Sequence, residues 1–313
     1  MNLVCNSDSI FRMRHVPVLL NEVVESLQLN PGMNIVDCTL GDAGHSEMIL
    51  EKISPNGKVL GIDVDPESLL RAKQSLYKYG ERVHFVRDNF VHLQEVVQKE
   101  NFGPVNGILM DFGWSSPQFE DRGRGFSLHK NEPLNMRYDA QSGTGEAKEI
   151  VNSSSVAELE KIFREYGEEK WSRDIAEAIG EQRKNKNIET TQELREIVLN
   201  IYRKKLHSTK EVPWIGGLDP ATRVFQALRI AVNDELGVIK AVLPQATEVL
   251  AQNGRLAVIT FHSLEDRIVK HYFKSLQNKN FKIITPKPIE CGKDEYDANP
   301  RARSAKLRVI QKL

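Results

Sequence analysis

The sequence of 313 residues predicts an α/β fold, a mostly parallel sheet with an antiparallel edge that is interrupted by a helical insertion. Three observations carry this expectation. Short β-rich runs alternate with helical patterns through the first third of the chain, which implies right-handed βαβ units. From about Arg122 to Leu218 almost nothing is strand-like, and polar amphipathic patterns take over. The α/β pattern then returns and ends in two further β-rich runs.

Taken in order, "MNIVDCTL" reads as a strand, "HSEMILEKI" as a helix and "GKVLGIDVD" as a strand. "PESLLRAKQSLYKYG" reads as a helix ending at Gly80, with Asp65 as its cap and Pro66 in the first turn, where a missing N–H is harmless. "RVHFVRDNF" and "VNGILMDFG" are two more strands. In the insertion, "SVAELEKIFREYG" and "TTQELREIVLNIY" each open with capping-box spacing, Ser155 with Glu158 and Thr190 with Glu193. "DPATRVFQALRIAVNDELG" predicts a helix capped by Asp219, with Pro220 first and an apolar stripe through Phe225, Leu228, Val232 and Leu236. "GRLAVITFHS" is a fifth strand, and "FKIITPKP" and "AKLRVIQKL" close the sheet as an edge pair. The domain expectation is therefore residues 1–121 with 219–313 as a sheet unit, and 122–218 as the helical insertion.

Composition narrows the function classes. Forty-three basic and forty-three acidic residues give zero formal charge, so a nucleic-acid partner has to be held by local patches. Three cysteines, Cys5, Cys38 and Cys291, lie far apart without a C-x-x-C pair, which points away from a zinc site or disulfide framework and towards a reduced compartment. The N-terminal stretch has no continuous apolar core of a secretory signal, and no run reaches the ~18 apolar residues of a membrane span. The expectation is a cytoplasmic protein.

In an open α/β sheet, ligands bind beyond the carboxyl ends of the strands. The first such end is "VDCTLGDAGHS", where Gly41 and Gly44 permit a tight turn and the following helix offers free N–H groups. Asp63 ends the second strand about twenty residues on, placed to accept hydrogen bonds from both hydroxyls of a ribose. The dinucleotide fingerprint needs glycine where Ala43 and Ser46 stand, and Asp37 would face a pyrophosphate. S-adenosylmethionine (SAM) carries a cationic sulfonium and an ammonium, for which nearby carboxylates are an asset. SAM is therefore favoured over a dinucleotide, with a ligand-free turn as the remaining reading. "VRDNF" puts Asp88, Asn89 and Phe90 at the third strand end, where a ring could flank adenine.

The fourth strand ends in "ILMDFGWSSPQ". Methylating an exocyclic amine requires acceptors for the amino protons, so that the nitrogen lone pair leaves the ring and points at the methyl group. Asp111 is the candidate acceptor. Ser115, Ser116 and Pro117 are the candidate base pocket, and Trp114 is a candidate stacking ring. Methylation at pyrimidine carbon 5 needs a cysteine nucleophile, and no cysteine stands at a suitable strand end. His262 and its neighbours follow the fifth strand, read either as ligand-edge groups or as core. The cluster Arg301, Arg303, Lys306 and Arg308, like the run "YRKKLHSTK", is either a phosphate contact or a solvated face.

Nine strings in register, "HVPVLL", "GDAGHS", "ILMDFGWSSPQ", "RGFS", "PLNMRYD", "IFREYGEE", "PATRVFQALRIAVNDEL", "FHSLEDRIVK" and "NPRARSAKLR", resemble the RsmH (MraW) family of bacterial small-subunit rRNA methyltransferases. The resemblance runs from about His15 to the C-terminus. It implies a Rossmann-like class I SAM-dependent methyltransferase acting at N4 of a cytidine in the decoding centre of 16S rRNA, with the insertion serving substrate recognition and no metal. By motif, it places cofactor contacts on Ala43, Gly44, His45, Asp63, Phe90, Asp111 and Gln118, the last added by the resemblance alone. Departures stand at Asp42 and Ala43, where the family loop has Arg and Gly, at Trp114 for a small aliphatic residue, at Asn135 for Asp and at Asp219 for His. Two alternatives stand beside this reading: a non-catalytic RNA-binding assembly factor on the same fold, motivated by Asp42, Ala43 and Trp114, and an amino-methyltransferase of another substrate, which the zero net charge leaves open.

Overall fold

A computed structural model describes residues 16–112, 123–139, 143–207 and 219–313. Trp114, Ser115, Ser116, Pro117 and Gln118 therefore lie outside the described residues. The first unit begins with α1 (Leu20–Leu27), then β1 (Asn34–Asp37), α2 (Gly44–Lys52), β2 (Lys58–Asp63), α3 (Pro66–Ser75), β3 (Val83–Arg87), α4 (Leu93–Lys99) and β4 (Val105–Asp111). The helical region contains α5 (Ala147–Ser153), α6 (Val156–Gly167), α7 (Ser172–Gln182), α8 (Thr191–Lys205) and α9 (Thr222–Asn233). After it come α10 (Glu235–Val249), β5 (Leu250–Thr260), α11 (Ser263–Leu276), β6 (Phe281–Ile283), α12 (Lys293–Ala298) and β7 (Lys306–Lys312).

The strands form one seven-stranded sheet in the order β3-β2-β1-β4-β5-β7-β6. β1 to β5 pair in parallel, while β7 runs antiparallel between β5 and β6. This is the mostly parallel sheet with an antiparallel edge expected from the sequence, and the class I methyltransferase fold. Alternate residues face opposite sides, so each buried strand feeds two cores. Ile35, Val59, Leu109, Ala257 and Val309 pack on one face with Val23, Ile49 and Leu69 from the helices. Val36, Leu60, Ile108, Met110 and Val258 pack on the other with Val96, Val242, Leu243 and Val269. Truncating one of these, such as Ile108, to Ala costs about 2–5 kcal/mol.

Contacts divide the chain into residues 1–113 with 239–313, and residues 114–238. The stretch 219–238, which the sequence placed with the sheet, instead joins the helices. Val224, Phe225, Leu228 and Val232 of α9 pack with Leu159, Phe163, Ile175 and Val198, because the stripe that predicted the helix is also complementary to that core. Both capping boxes form as expected, Ser155 with Glu158 and Thr190 with Glu193. Two boundaries shift. α9 starts at Thr222, and Asp219 caps the turn before it by accepting from the Ala221 N–H at 2.8 Å. α3 stops at Ser75 and passes into a 3-10 turn in which Gly80 has φ 54. No helix among the described residues is long and apolar enough to cross a membrane.

Candidate functional site

The carboxyl ends of β1, β2, β3 and β4 place the sequence-predicted groups along one edge of the sheet unit. Beyond β1 the chain turns through Gly41 (φ 52) and Ala43 (φ 65) into α2. Ala43 is buried, and it occupies the left-handed region where its Cβ crowds the carbonyl oxygen, at a cost of about 1–2 kcal/mol. This is where the family glycine is replaced, so the departure is a strained one. No side chain caps α2, which leaves the N–H groups of its first turn, from Gly44 and His45, to an incoming acceptor. His45 is buried, its Nε2 2.9 Å from the Val18 carbonyl oxygen, and burial lowers its pKa against the raising effects of Asp111 and that hydrogen bond.

Two residues that sequence reasoning did not select hold this loop. Asp37, buried at the end of β1, accepts from the Ser46 hydroxyl at 2.7 Å and the Thr39 N–H at 3.1 Å. Burial raises its pKa despite both bonds. The Thr39 hydroxyl accepts from the Asp111 N–H at 2.7 Å and so fixes the end of β4 against the loop. The signal for Asp37 was present, since an acidic residue closing an apolar strand needs a local donor. Thr39 carried none.

Asp63, at the end of β2, accepts from the Gly41 N–H through Oδ2 and from the Asp65 N–H through Oδ1, each at 2.8 Å. Burial outweighs these bonds and lifts its carboxyl to about 6. Each oxygen keeps a lone pair for a hydroxyl. Phe90, beyond β3, and Phe112, beyond β4, are half-buried rings whose centroids lie 5.8 Å apart. Asp88 Oδ1 accepts from the Asn89 N–H and pairs with His92, and Asn89 Oδ1 accepts from the Val91 N–H. Beyond β5, Glu265 is buried and accepts from the Phe261 and His262 N–H groups, with its other oxygen 3.1 Å from His262 Nε2.

The donor set fits SAM. Free helical N–H groups suit the carboxylate of an amino acid, Asp63 suits a ribose diol, the phenylalanines suit a flat base, and Asp37, Asp63 and Asp111 favour a cation.

A family model matches residues 12–313, that of the MraW methylase family. The chain belongs to the MraW methylase family. It is similar to Ribosomal RNA small subunit methyltransferase H of Clostridioides difficile, with 42% identity covering 96% of this chain and 99% of that one. The same protein of Brevibacillus brevis is 44% identical, covering 96% and 98%. Solved structures align more loosely. A SAM-dependent O-methyltransferase from Thermotoga maritima has 11% identity and a TM-score of 0.40, covering 96% of this chain and 68% of that one. Strand order, rather than that overlay, identifies the fold.

Within this MraW family member, three departures from the family pattern have partners in the chain itself. Asp42 is paired with Arg71 at 2.7 Å. Asn135 donates through Nδ2 to Glu146 at 2.7 Å, which an Asp could not do, and its oxygen accepts from Arg137. Asp219 is buried and accepts from Arg195 at 2.7 Å. The basic cluster loses one member. Arg308 is 6% exposed and clamped by Asp266 at 2.6 and 3.0 Å, in a strand buried on both faces. Arg303 lies over the Tyr296 ring, with Arg301 and Lys306 partly exposed nearby in the sequence.

Proposed function

We propose that the protein transfers a methyl group from SAM to N4 of a cytidine in the decoding centre of small-subunit rRNA. The observation that carries this reading is the sheet edge where Asp63, the uncapped start of α2 and Asp111 meet, in a chain whose relatives are named small-subunit rRNA methyltransferases. Gly44 and His45 hold the cofactor carboxylate, Asp63 the ribose, and Ala43, Phe90 and Gln118 the remainder. Bound SAM supplies a methyl group on positively charged sulfur, already activated for transfer.

The chain's own task is to make a poor nucleophile attack in line. Asp111 accepts hydrogen bonds from the amino protons, which returns the lone pair to nitrogen, while its backbone is fixed by Thr39. Ser115, Ser116 and Pro117 shape the base pocket. The helical unit recognises the substrate, and Arg301, Arg303 and Lys306 meet phosphates. A cytoplasmic location follows from a ribosomal substrate.

Of the departures that motivated a non-catalytic assembly factor, Asp42 has a local partner in Arg71, which supports the catalytic reading, while Ala43 keeps its strained backbone and Trp114 lies outside the described residues. Asp111→Ala is expected to slow methyl transfer to small subunits by about 10²–10⁴-fold. Near-normal rates would remove Asp111 from the mechanism.

A further inference from the structure

The strap 16–19, from the string "HVPVLL", lies between the cofactor loop and the segment formed by α12 and the turn Pro300–Ser304. On the loop side, the Val18 carbonyl meets His45 Nε2 at 2.9 Å. Pro17 rests on Gly44 so closely that a Cβ there would lie 2.3 Å from Pro17 Cγ. On the other side, the Leu19 N–H donates to Glu295 Oε1 at 2.8 Å, across 276 positions of sequence. Asn299 Nδ2 donates to the Val16 carbonyl at 3.4 Å. Leu19 itself is fully buried with φ 55, a left-handed conformation that a large side chain keeps only when its surroundings hold it.

These contacts form a series. Glu295 holds the amide of the strained residue, that residue ends the strap, and the strap bears on the two residues whose N–H groups open α2. We infer that Glu295 is a positioning residue for the cofactor loop: by fixing the Leu19 amide it sets the strap against Gly44 and His45, and thereby the affinity for SAM. The inference rests on the SAM reading of the site. It also explains why strings at opposite ends of the sequence belong to one structure. A carboxylate on a largely exposed helix of six residues contributes little to the sheet cores, so its removal acts on the loop rather than on the fold.

The test uses the full chain with Glu295→Ala, Glu295→Gln and, as a control on the exposed face of the same helix, Asp297→Ala. SAM affinity is read by calorimetry, KM and kcat by methyl transfer to small subunits, and folding by thermal midpoint. Glu295→Ala is expected to raise Kd and KM for SAM about tenfold, with kcat within about twofold and little change in midpoint, the size of one charge-assisted hydrogen bond. Glu295→Gln keeps an acceptor oxygen and is expected within about threefold of the parent, and Asp297→Ala equal to it. Unchanged affinity in Glu295→Ala, or an equal loss in Glu295→Gln, would overturn the inference while leaving the site reading intact. A loss matched by a fallen midpoint would overturn it as well, by showing a structural role only. No heat with the parent protein would remove the SAM reading itself, and the inference with it.

Discussion

Asp63 is a partly buried carboxylate proposed to hold the ribose, and its titration separates that proposed role from structure. Burial lifts its carboxyl from 3.8 to about 6. A ribose diol donates to the ionised form, so below about pH 6 the free protein carries a proton that binding must expel. SAM affinity is therefore expected to fall as pH drops through 6, by up to about tenfold per unit, and Asp63→Asn to lose about 10–100-fold at pH 7 together with that pH step. Calorimetry between pH 5 and 8 would check both. The stability linkage runs in the opposite direction: a raised carboxyl pKa gives a contribution present below about 4 and lost as pH rises through 6. Ala43 makes a second test. Its positive φ and full burial predict that Ala43→Val costs about 2–4 kcal/mol, read from a urea midpoint, whereas Ala43→Gly stays within about 1 kcal/mol because the relieved strain offsets the lost methyl. At this scale much of the site was legible. Asp63 and Asp111 were found because strand ends are readable. The sign of φ at Ala43 was not, since a loop's conformation depends on what lies beneath it, here Asp37, Ser46 and Thr39.

At the level of elements, local chemistry was the most readable. The two capping boxes, the Asp65 cap with Pro66 behind it, and the run of strands all follow from signals a few residues long. Long-range pairing was harder to read. The last two strands were expected to close the sheet as an edge pair and do so, but their order, with β7 between β5 and β6, was not readable. That position buries Leu307 to Ile310 on both faces of β7, which is why Arg308 is covered and pairs with Asp266 instead of joining Arg301 and Arg303. Arg308→Met is expected to cost about 3 kcal/mol in a urea titration, because it strands a partly buried carboxylate, and adding Asp266→Leu to recover much of that loss. RNA affinity should be the same in both variants once they are folded.

For the molecule as a whole, the zero net charge limits how RNA can be held. With the proposed phosphate contacts at Arg301, Arg303 and Lys306, the affinity for single-stranded rRNA is expected to fall with salt at a log–log slope of about −2, and Arg301→Ala with Arg303→Ala to reduce that slope by about 1.4. A filter-binding series in salt would check this. The division into a sheet unit and a helical unit was legible from composition, but its second boundary was not: α9 carries an apolar stripe that suits either core, and only the packing of Phe225 and Leu228 against Phe163 decides. The central claim is the reaction. Its most direct test is transfer of a tritiated methyl group from SAM to small subunits isolated from cells lacking this gene, followed by nucleoside analysis of the rRNA. Label in N4-methylcytidine is the expected result. Label in another nucleoside, or none from protein that binds SAM, would contradict it.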